Sequence, residues 1–164
     1  MARTVLVRHA LAGDKARWAG DDALRPLEPA GAAQALQLVP LLGAVPVRRV
    51  LTSPLVRCRR TVEPLAAARG LAVEEHAALR PDARVGDVLA LLRSPGAAGA
   101  LVCTHGEVLV ALGLAWSHGE PEKGGAWLVE HPLQAGATPV RVLPAPAAPL
   151  VPGPRAEQRQ AVAG

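Results

Sequence analysis

Aromatic side chains are almost absent from this sequence. Its 164 residues include three Trp and no Phe or Tyr, although half of the residues are hydrophobic. A core of this composition must be packed from Leu, Val and Ala, and the chain length suggests a single domain. Proteins that bind single-stranded nucleic acid stack the bases on aromatic rings, so the scarcity of such rings argues against that class.

Cysteine is limited to Cys58 and Cys103, and neither belongs to a C-x-x-C motif. Two isolated cysteines favour a reducing compartment and no disulfide framework. No apolar run is long enough to span a membrane, and Arg8 interrupts the first apolar run. We therefore expect neither a signal peptide nor a membrane-spanning segment. We therefore expect a cytoplasmic protein with no membrane partner.

Lysine is equally rare, since only Lys15 and Lys123 occur, yet the formal net charge is +4. Arginine carries nearly all of the positive charge, and the arginines are scattered along the chain. Separate guanidinium groups favour the binding of small phosphorylated groups over the binding of a nucleic-acid polymer.

Short apolar runs alternate with helical patterns along residues 3–143. The predicted strands are Arg3–Arg8, Arg49–Thr52, Leu71–Glu74, Ala100–Thr104, Ala126–Glu130 and Val140–Leu143. The predicted helices are Glu28–Leu42, Pro54–Ala68, Val85–Leu92 and Glu107–Trp116. This alternation predicts an α/β three-layer sandwich with a mostly parallel central sheet and helices on both faces.

Two segments fall outside this alternation. Residues 10–28 are predicted to form a long loop, which in a compact domain is usually functional. Residues 144–164 are rich in Pro and Ala and are predicted to form a tail beyond a domain of residues 1–143. Ser53 and Pro54 are predicted to be the N-cap and the first residue of the second helix.

Polar side chains follow three of the predicted strands. The first strand ends in Arg8-His9, the second at Ser53 with Arg57 one helical turn further on, and the fourth in Thr104-His105. Because the carboxyl ends of parallel strands share one edge of a sheet, two His and two Arg are expected to meet there. Guanidinium donors beside imidazoles suit a tetrahedral phosphate dianion.

These residues resemble the signature of the histidine phosphatase (phosphoglycerate mutase-like) superfamily. The motifs that carry the resemblance are Val7-Arg8-His9-Ala10, Arg25-Pro26-Leu27-x-x-x-Gly31, Ser53-Pro54-x-x-Arg57-x-x-x-Thr61 and Thr104-His105-Gly106. The short chain is similar both to the SixA-type phosphohistidine phosphatases and to the phosphatase domain that follows a Nudix domain in actinobacterial MutT1-type proteins. The similarity extends over roughly residues 3–143.

The resemblance implies a phosphatase mechanism. His9 is the expected nucleophile and forms a phosphohistidine intermediate, while Arg8, Arg57 and His105 hold the phosphoryl oxygens. No metal or other cofactor is expected, because the arginines supply the positive charge. The expected substrate is a phosphohistidine protein, a nucleotide or another small phosphoester.

The remaining site residues have two interpretations each. Asp82 is the best candidate for a general acid, but it is equally well explained as a turn residue after Pro81. Lys15 and Arg25 are candidate substrate contacts or solvated loop charges, and Gly106 is a candidate substrate contact through its motif. The spacing of His76, His118 and His131 does not suit zinc.

Two alternative functions stay open at this point. One is a phosphate-binding regulatory module without turnover, which the presence of all four core groups disfavours. The other is a phosphotransferase similar to phosphoglycerate mutase, which would need insertions that this chain lacks. The sequence carries no signal for an oligomeric state.

Overall fold

A computed structural model describes residues 2–113, 122–134 and 136–146 of the chain. The strands are β1 (Arg3–Arg8), β2 (Arg49–Thr52), β3 (Val73–Glu75), β4 (Ala100–Thr104), β5 (Ala126–Glu130) and β6 (Arg141–Leu143). The helices in these ranges are α1 (Pro29–Leu41), α2 (Val56–Ala68), α3 (Val85–Arg93) and α4 (Gly106–Ala111). None of the described helices is long and apolar enough to cross a membrane.

The six strands form one sheet in the order β3-β2-β4-β1-β5-β6. The first four of these are parallel to one another, whereas β5 and β6 form an antiparallel pair at one edge. In the register, Arg8 lies beside Thr104 and Thr52 lies beside Cys103. The carboxyl ends of β1, β2 and β4 are therefore level with one another, which places Arg8-His9, Ser53 and His105 at one edge as predicted.

Alternate residues of the sheet face two separate apolar layers. Val5 and Val7 pack on the face covered by α1 and α2, and Leu6 packs on the face covered by α3 and α4. Side chains of both layers are almost completely buried, including Leu38 and Leu65 in the first and Leu92 and Leu109 in the second. This arrangement confirms the predicted three-layer sandwich, built as expected from Leu, Val and Ala.

The start of α2 differs from the prediction. The helix begins at Val56 with Leu55 as its N-cap, instead of at Pro54 with Ser53 as its N-cap. The Ser53 hydroxyl lies 2.8 Å from Nε2 of His105. The same hydroxyl accepts a longer bond of 3.4 Å from the Leu55 amide, so it does not cap α2 itself and its shorter bond runs across the strand ends.

Two other boundaries differ from the prediction by two residues or more, and the rest agree within one residue. Strand β3 starts at Val73 instead of Leu71, because the Leu71 amide donates to Ala66 O, 2.9 Å away, and so closes the end of α2. Helix α4 ends at Ala111, and Gly113 follows it with a φ of 63°, a left-handed conformation that favours glycine at helix ends. The predicted end of that helix, Trp116, lies outside the described residues.

The segment after β1 passes close to the first turn of α1. A methyl group at Gly31 would overlap the carbonyl of Leu11, so only glycine permits this approach. The Leu11 carbonyl accepts a hydrogen bond of 3.0 Å from the Glu28 amide, and the Leu11 amide donates to Oε1 of Gln34 over 3.1 Å. These contacts fix the residues that directly follow His9.

Candidate active site

Four predicted site residues meet at the carboxyl ends of β1, β2 and β4. The rings of His9 and His105 are 5.4 Å apart between centroids, at an interplanar angle of 63°. The positive charge of Arg57 acts on both rings, and that of Arg8 acts on His9. The sequence therefore identified the members of the cluster, although it gave none of their separations.

The ring of His9 is held in one tautomer. Its Nδ1 lies 2.8 Å from the carbonyl oxygen of Ala10. Because a carbonyl oxygen only accepts, Nδ1 carries the proton, and Nε2 of the neutral ring keeps its lone pair. Burial, together with the nearby positive charges, lowers the pKa of His9 to about 4. The ring is therefore neutral near pH 7 and suited to nucleophilic attack.

Thr61 connects the segment after His9 to helix α2. The Ala10 amide donates a hydrogen bond of 3.0 Å to the Thr61 hydroxyl, which in turn donates over 2.7 Å to the carbonyl of Arg57. All of these groups are buried, so the pair of bonds sets the position of His9 relative to Arg57. The motif contained Thr61, but no role for its hydroxyl was predicted from the sequence.

His105 is neutral for the same reason as His9. Its Nε2 lies 2.8 Å from the Ser53 hydroxyl and 3.5 Å from Sγ of Cys58. Burial lowers the pKa of His105 to about 3, and the charges of His9 and Arg57 act in the same direction. When the Ser53 hydroxyl donates to Nε2, Nδ1 carries the ring proton and can donate it to a bound oxyanion.

Asp22 holds Arg57 in place, a role that was not predicted from the sequence. Arg57 donates to the Asp22 carbonyl over 2.9 Å and to the Asp22 carboxylate over 3.1 Å. Nε of Arg57 is buried and has no hydrogen-bond partner among the described residues. A guanidinium has five N–H donors, and the hydrogen bonds to Asp22 use only two of them. The other donors of Arg57 are therefore available to an oxyanion.

Arg25 completes this support. It donates to the Asp22 carboxylate over 2.9 Å and to the carbonyls of Ala12 and Gly13 over 2.8 and 3.1 Å. Burial acts against ionisation of Asp22, but the hydrogen bond from Arg25 and the charge of Arg57 lower the pKa of this carboxyl. Arg25 is buried and is therefore not a solvated loop charge. Its contact with substrate stays a prediction.

Gly106 makes room for Arg8. A methyl group at position 106 would lie 2.7 Å from Cζ of Arg8 and 2.9 Å from its Nε and Nη2, all closer than normal contact. The guanidinium therefore lies directly over the first residue of α4. This gives Gly106 a steric reason to be glycine, whereas direct contact between Gly106 and substrate stays a prediction.

We expect Gly106→Ala to lower kcat/KM by at least about tenfold with little change in melting temperature. The added methyl group displaces Arg8, the side chain predicted to hold the phosphoryl group, and a 1 Å misplacement of such a group is costly. Gly86→Ala in α3 is the matched control, because a methyl group there meets nothing within 4 Å. Equal activity of the two variants would show that the position of Arg8 is unimportant.

Acid is expected to destabilise the folded protein between about pH 6.5 and pH 3. The folded state lowers the pKa of His9 to about 4 and that of His105 to about 3, both from 6.5. The unfolded chain then binds more protons in this window, so stability is complete above pH 6.5 and decreases as the pH falls. One pKa unit corresponds to about 1.4 kcal/mol, so His9 alone accounts for a loss on the order of 3 kcal/mol.

Urea unfolding at pH 7 and at pH 4.5 measures this loss. His9→Asn removes one of the titrating groups and should reduce the difference between the two free energies of unfolding. An identical difference in the wild type and the variant would contradict the assignment.

Asp82, the predicted general acid, lies on the surface. Its side chain is 78% exposed and forms an ion pair of 3.4 Å with Arg80. Asp82 is not among the main causes of the lowered pKa of His9 or of His105. The role of Asp82 as an acid stays a prediction, and the position of the side chain is what a turn residue would have.

Lys15 lines a hollow, and its charge acts on Asp22. This hollow has a volume of about 470 Å³, and Arg25 and Lys123 also line it. A larger hollow of about 530 Å³ lies at the opposite end of the parallel strands, between Arg3, Arg48 and Arg141, and none of the predicted site residues lines it.

Neither His76 nor His131 joins the cluster. No group of three or more His, Cys, Asp or Glu side chains within the described ranges is arranged to hold a metal ion. His76 caps the turn Ala77–Leu79 by accepting a hydrogen bond of 3.2 Å from the Ala78 amide. His118 lies outside the described residues.

Comparison with known proteins agrees with this geometry. The family model of the histidine phosphatase superfamily (branch 1) matches residues 4–87, about half of the chain. The 8-oxo-(d)GTP phosphatase of Mycolicibacterium smegmatis is 36% identical over an alignment of 141 residues that covers 77% of this chain. The chain spans only 44% of the length of that relative.

Solved structures share the whole fold. The protein histidine phosphatase SixA complexed with tungstate is 27% identical and has a TM-score of 0.66, with 87% of this chain and 96% of that chain covered. A SixA protein from Nakamurella multipartitia is 26% identical, with a TM-score of 0.67 and coverage of 90% and 99%. The sheet described above thus belongs to a fold shared with phosphatases.

Proposed function

Because the chain belongs to the histidine phosphatase superfamily (branch 1), we propose that it is a metal-independent phosphatase that works through a phosphohistidine intermediate. The family match and the relatives support the class of phosphoric monoester hydrolases. The proposal names His9 as the nucleophile, Arg8, Arg57 and His105 as the groups that hold the phosphoryl oxygens, and water as the final acceptor.

The hydrogen bond between Nδ1 of His9 and the Ala10 carbonyl carries this proposal. It fixes the proton on Nδ1 and leaves the lone pair on Nε2, and the lowered pKa keeps the ring neutral. A neutral imidazole with a fixed tautomer attacks phosphorus without first losing a proton. As the bond between Nε2 and phosphorus forms, the bond to the leaving group breaks.

The arginines stabilise the charge on the phosphoryl oxygens. Arg57 is almost fully buried, and Asp22 fixes its orientation before substrate arrives. Donors that are already in position cost no reorganisation in the transition state, and a low dielectric strengthens them. Two guanidinium groups supply the positive charge for which other phosphatases use a metal ion.

The names of the relatives indicate two classes of substrate. One relative is named as a phosphatase of 8-oxo-(d)GTP and another as a protein histidine phosphatase. The second was solved with tungstate, an oxyanion, and the pair Arg8 and Arg57 suits the same kind of group. We therefore propose a phosphohistidine protein, a nucleotide or another small phosphoester as substrate.

The cytoplasm is the location that we propose for the protein. Both Cys58 and Cys103 are buried free thiols. Free thiols at these positions suit a reducing compartment.

A turnover screen tests the proposed function. Purified protein is incubated with p-nitrophenyl phosphate, phosphohistidine, nucleoside di- and triphosphates and sugar phosphates, with and without EDTA, and released phosphate is measured. We expect phosphate release that EDTA leaves unchanged. Binding of phosphate without release would favour a regulatory module, and transfer between two phosphoglycerates would favour a mutase. Loss of activity in EDTA, with recovery of activity when a divalent cation is added, would exclude the metal-independent mechanism.

Asp82→Asn separates the two interpretations of that residue. If Asp82 is the acid, the variant should lose roughly a hundredfold in rate on alkyl phosphates, since only a strongly basic leaving group needs a proton. Loss on phosphohistidine and p-nitrophenyl phosphate should be small. Unchanged turnover of alkyl phosphates would establish Asp82 as a turn residue alone.

A further inference from the structure

Both lysines of the chain line the same hollow. This lysine hollow, with a volume of about 470 Å³, is lined by Leu11, Gly13, Asp14, Lys15, Arg25, Glu28 and Lys123. Lys15 lies in the loop after β1 and Lys123 immediately before β5, so 107 intervening positions separate them in the sequence. Their convergence is a product of the fold and was not predicted.

Two sets of contacts connect the lysine hollow to the phosphoryl site, which is the cluster of Arg8, His9, Arg57 and His105. On one side, the Gly124 amide donates to the carbonyls of Arg8 and His9 over 3.0 and 3.1 Å, which places Lys123 next to the nucleophile. The charge of Lys123 acts on the ring of His9. On the other side, Arg25 is bonded to Asp22, which holds Arg57.

Side-chain amide bonds fix the backbone at Lys123. Gln34 donates from Nε2 to the carbonyl of Lys123 over 3.4 Å and accepts at Oε1 from the Leu11 amide. Gln34 is buried, so α1 supports both walls of the lysine hollow. The position of the Lys123 backbone is therefore set independently of any ligand.

Most other charges of the lysine hollow are already engaged. Arg25 donates to three oxygens, and the Asp14 carboxylate accepts from the Ala16 amide and pairs with Arg17 at 3.7 Å. Among the described residues, neither lysine forms a salt bridge. Glu28 contributes one carboxylate against the two ammonium groups. The lysine hollow thus has positive charge to offer an anion.

We propose that Lys15 and Lys123 bind a second phosphate group of the substrate, next to the phosphoryl group that His9 attacks. This inference rests on the proposed function and narrows its substrate class to molecules with a terminal diphosphate, such as nucleoside diphosphates. A lysine ammonium is a compact charge without fixed hydrogen-bond geometry, so it suits the phosphate that is not transferred. The guanidinium groups of Arg8 and Arg57 hold the phosphoryl group that is transferred.

The reaction balances without a general acid. Nε2 of His9 forms a bond to the terminal phosphorus, and the bond from that phosphorus to the bridging oxygen breaks. The electron pair stays on the bridging oxygen, now part of the leaving phosphate, whose added charge the lysines neutralise. Water then attacks the phosphohistidine, inorganic phosphate leaves, the electron pair returns to Nε2 and the proton of water goes to solvent. The exposed position of Asp82 fits this route.

Calorimetric titration with methylenediphosphonate and with inorganic phosphate tests the inference without turnover. Divalent cations are left out of the buffer. Wild-type protein should bind the diphosphonate at least about tenfold more tightly than phosphate, the size expected for added charge-assisted contacts. The double variant Lys15→Gln/Lys123→Gln should reduce this ratio to near one.

Arg60→Gln is the control, because Arg60 is an exposed cation of α2 that pairs with Glu63, and neither residue lines the lysine hollow. It should preserve the ratio of affinities. Equal affinity for the two ligands in the wild type, or an unchanged ratio in the double variant, would overturn the inference.

Kinetics give the second readout. The double variant should lose at least about tenfold more kcat/KM on a nucleoside diphosphate than on p-nitrophenyl phosphate. Equal losses on both, or a selective loss on a phosphohistidine protein, would contradict a diphosphate subsite while the proposed function stands. No phosphate release from any substrate by the wild type would instead refute the proposed function, and calorimetry would still decide the subsite.

Discussion

Replacement of His9 by alanine is expected to abolish turnover, with a loss of at least about 10⁴-fold, while the protein stays folded. No other side chain at the site offers an unprotonated nitrogen with its tautomer fixed by a backbone carbonyl. His105 has its Nε2 engaged by Ser53, so it cannot substitute as the nucleophile in that geometry. Without the nucleophile the covalent intermediate cannot form, so the reaction path is lost and not merely slowed.

Rapid quenching of the wild type with substrate labelled in its terminal phosphate measures the intermediate directly. The label should be acid-labile and should map to His9 alone, and His9→Ala should carry none. His76→Ala is the control, since His76 is exposed and caps a short turn away from the cluster. Stable label on Ser53 or Cys58 would refute the assignment of the nucleophile.

Arg57→Ala is expected to lower kcat by at least about a hundredfold, the effect of removing one donor that is in position before the reaction. The change also leaves Asp22 without its partner at 3.1 Å, so the carboxylate near the phosphoryl site then repels an anionic substrate. Arg57→Lys should recover little activity, because an ammonium cannot bond to Asp22 and the phosphoryl oxygens in the same way.

The control for Arg57 lies on the same helix. Arg60→Ala removes an exposed arginine of α2 that pairs with Glu63 at 3.0 Å, and it should leave kcat within about twofold. Melting temperatures of the variants separate a folding defect from a catalytic one. Similar kcat values for Arg57→Ala and Arg60→Ala would remove Arg57 from the mechanism.

The sequence by itself determined the architecture and which residues meet at the carboxyl ends of β1, β2 and β4. Runs of Val and Leu alternating with amphipathic stretches encode strands and helices locally, so the bounds of β2, β4 and β5 were predicted correctly. Parallel strands place their carboxyl ends at one edge, which is why Arg8, His9 and His105 were grouped correctly.

The tertiary structure decided how each of these groups is held. Ser53 has the chemistry of an N-cap, but a buried imidazole beside it competes for its hydroxyl, and no local pattern encodes that outcome. In the sequence, nothing distinguishes Asp22 from other loop carboxylates. It contacts Arg57 only because the segment after β1 folds back onto α2. The tautomer and the low pKa of His9 likewise depend on burial and on a carbonyl whose direction the sequence does not specify.

The pairing of Lys15 with Lys123 has the same origin. Local preferences act over a few residues, whereas these lysines meet because β5 pairs with β1 and the Gly124 amide binds the end of β1. Residue types and short-range spacing thus determined which side chains meet at the candidate site. Long-range packing determined the protonation states of the histidines, the hydrogen bonds that hold Arg57 and the charge beside His9, because each of these depends on atoms that are remote in the chain.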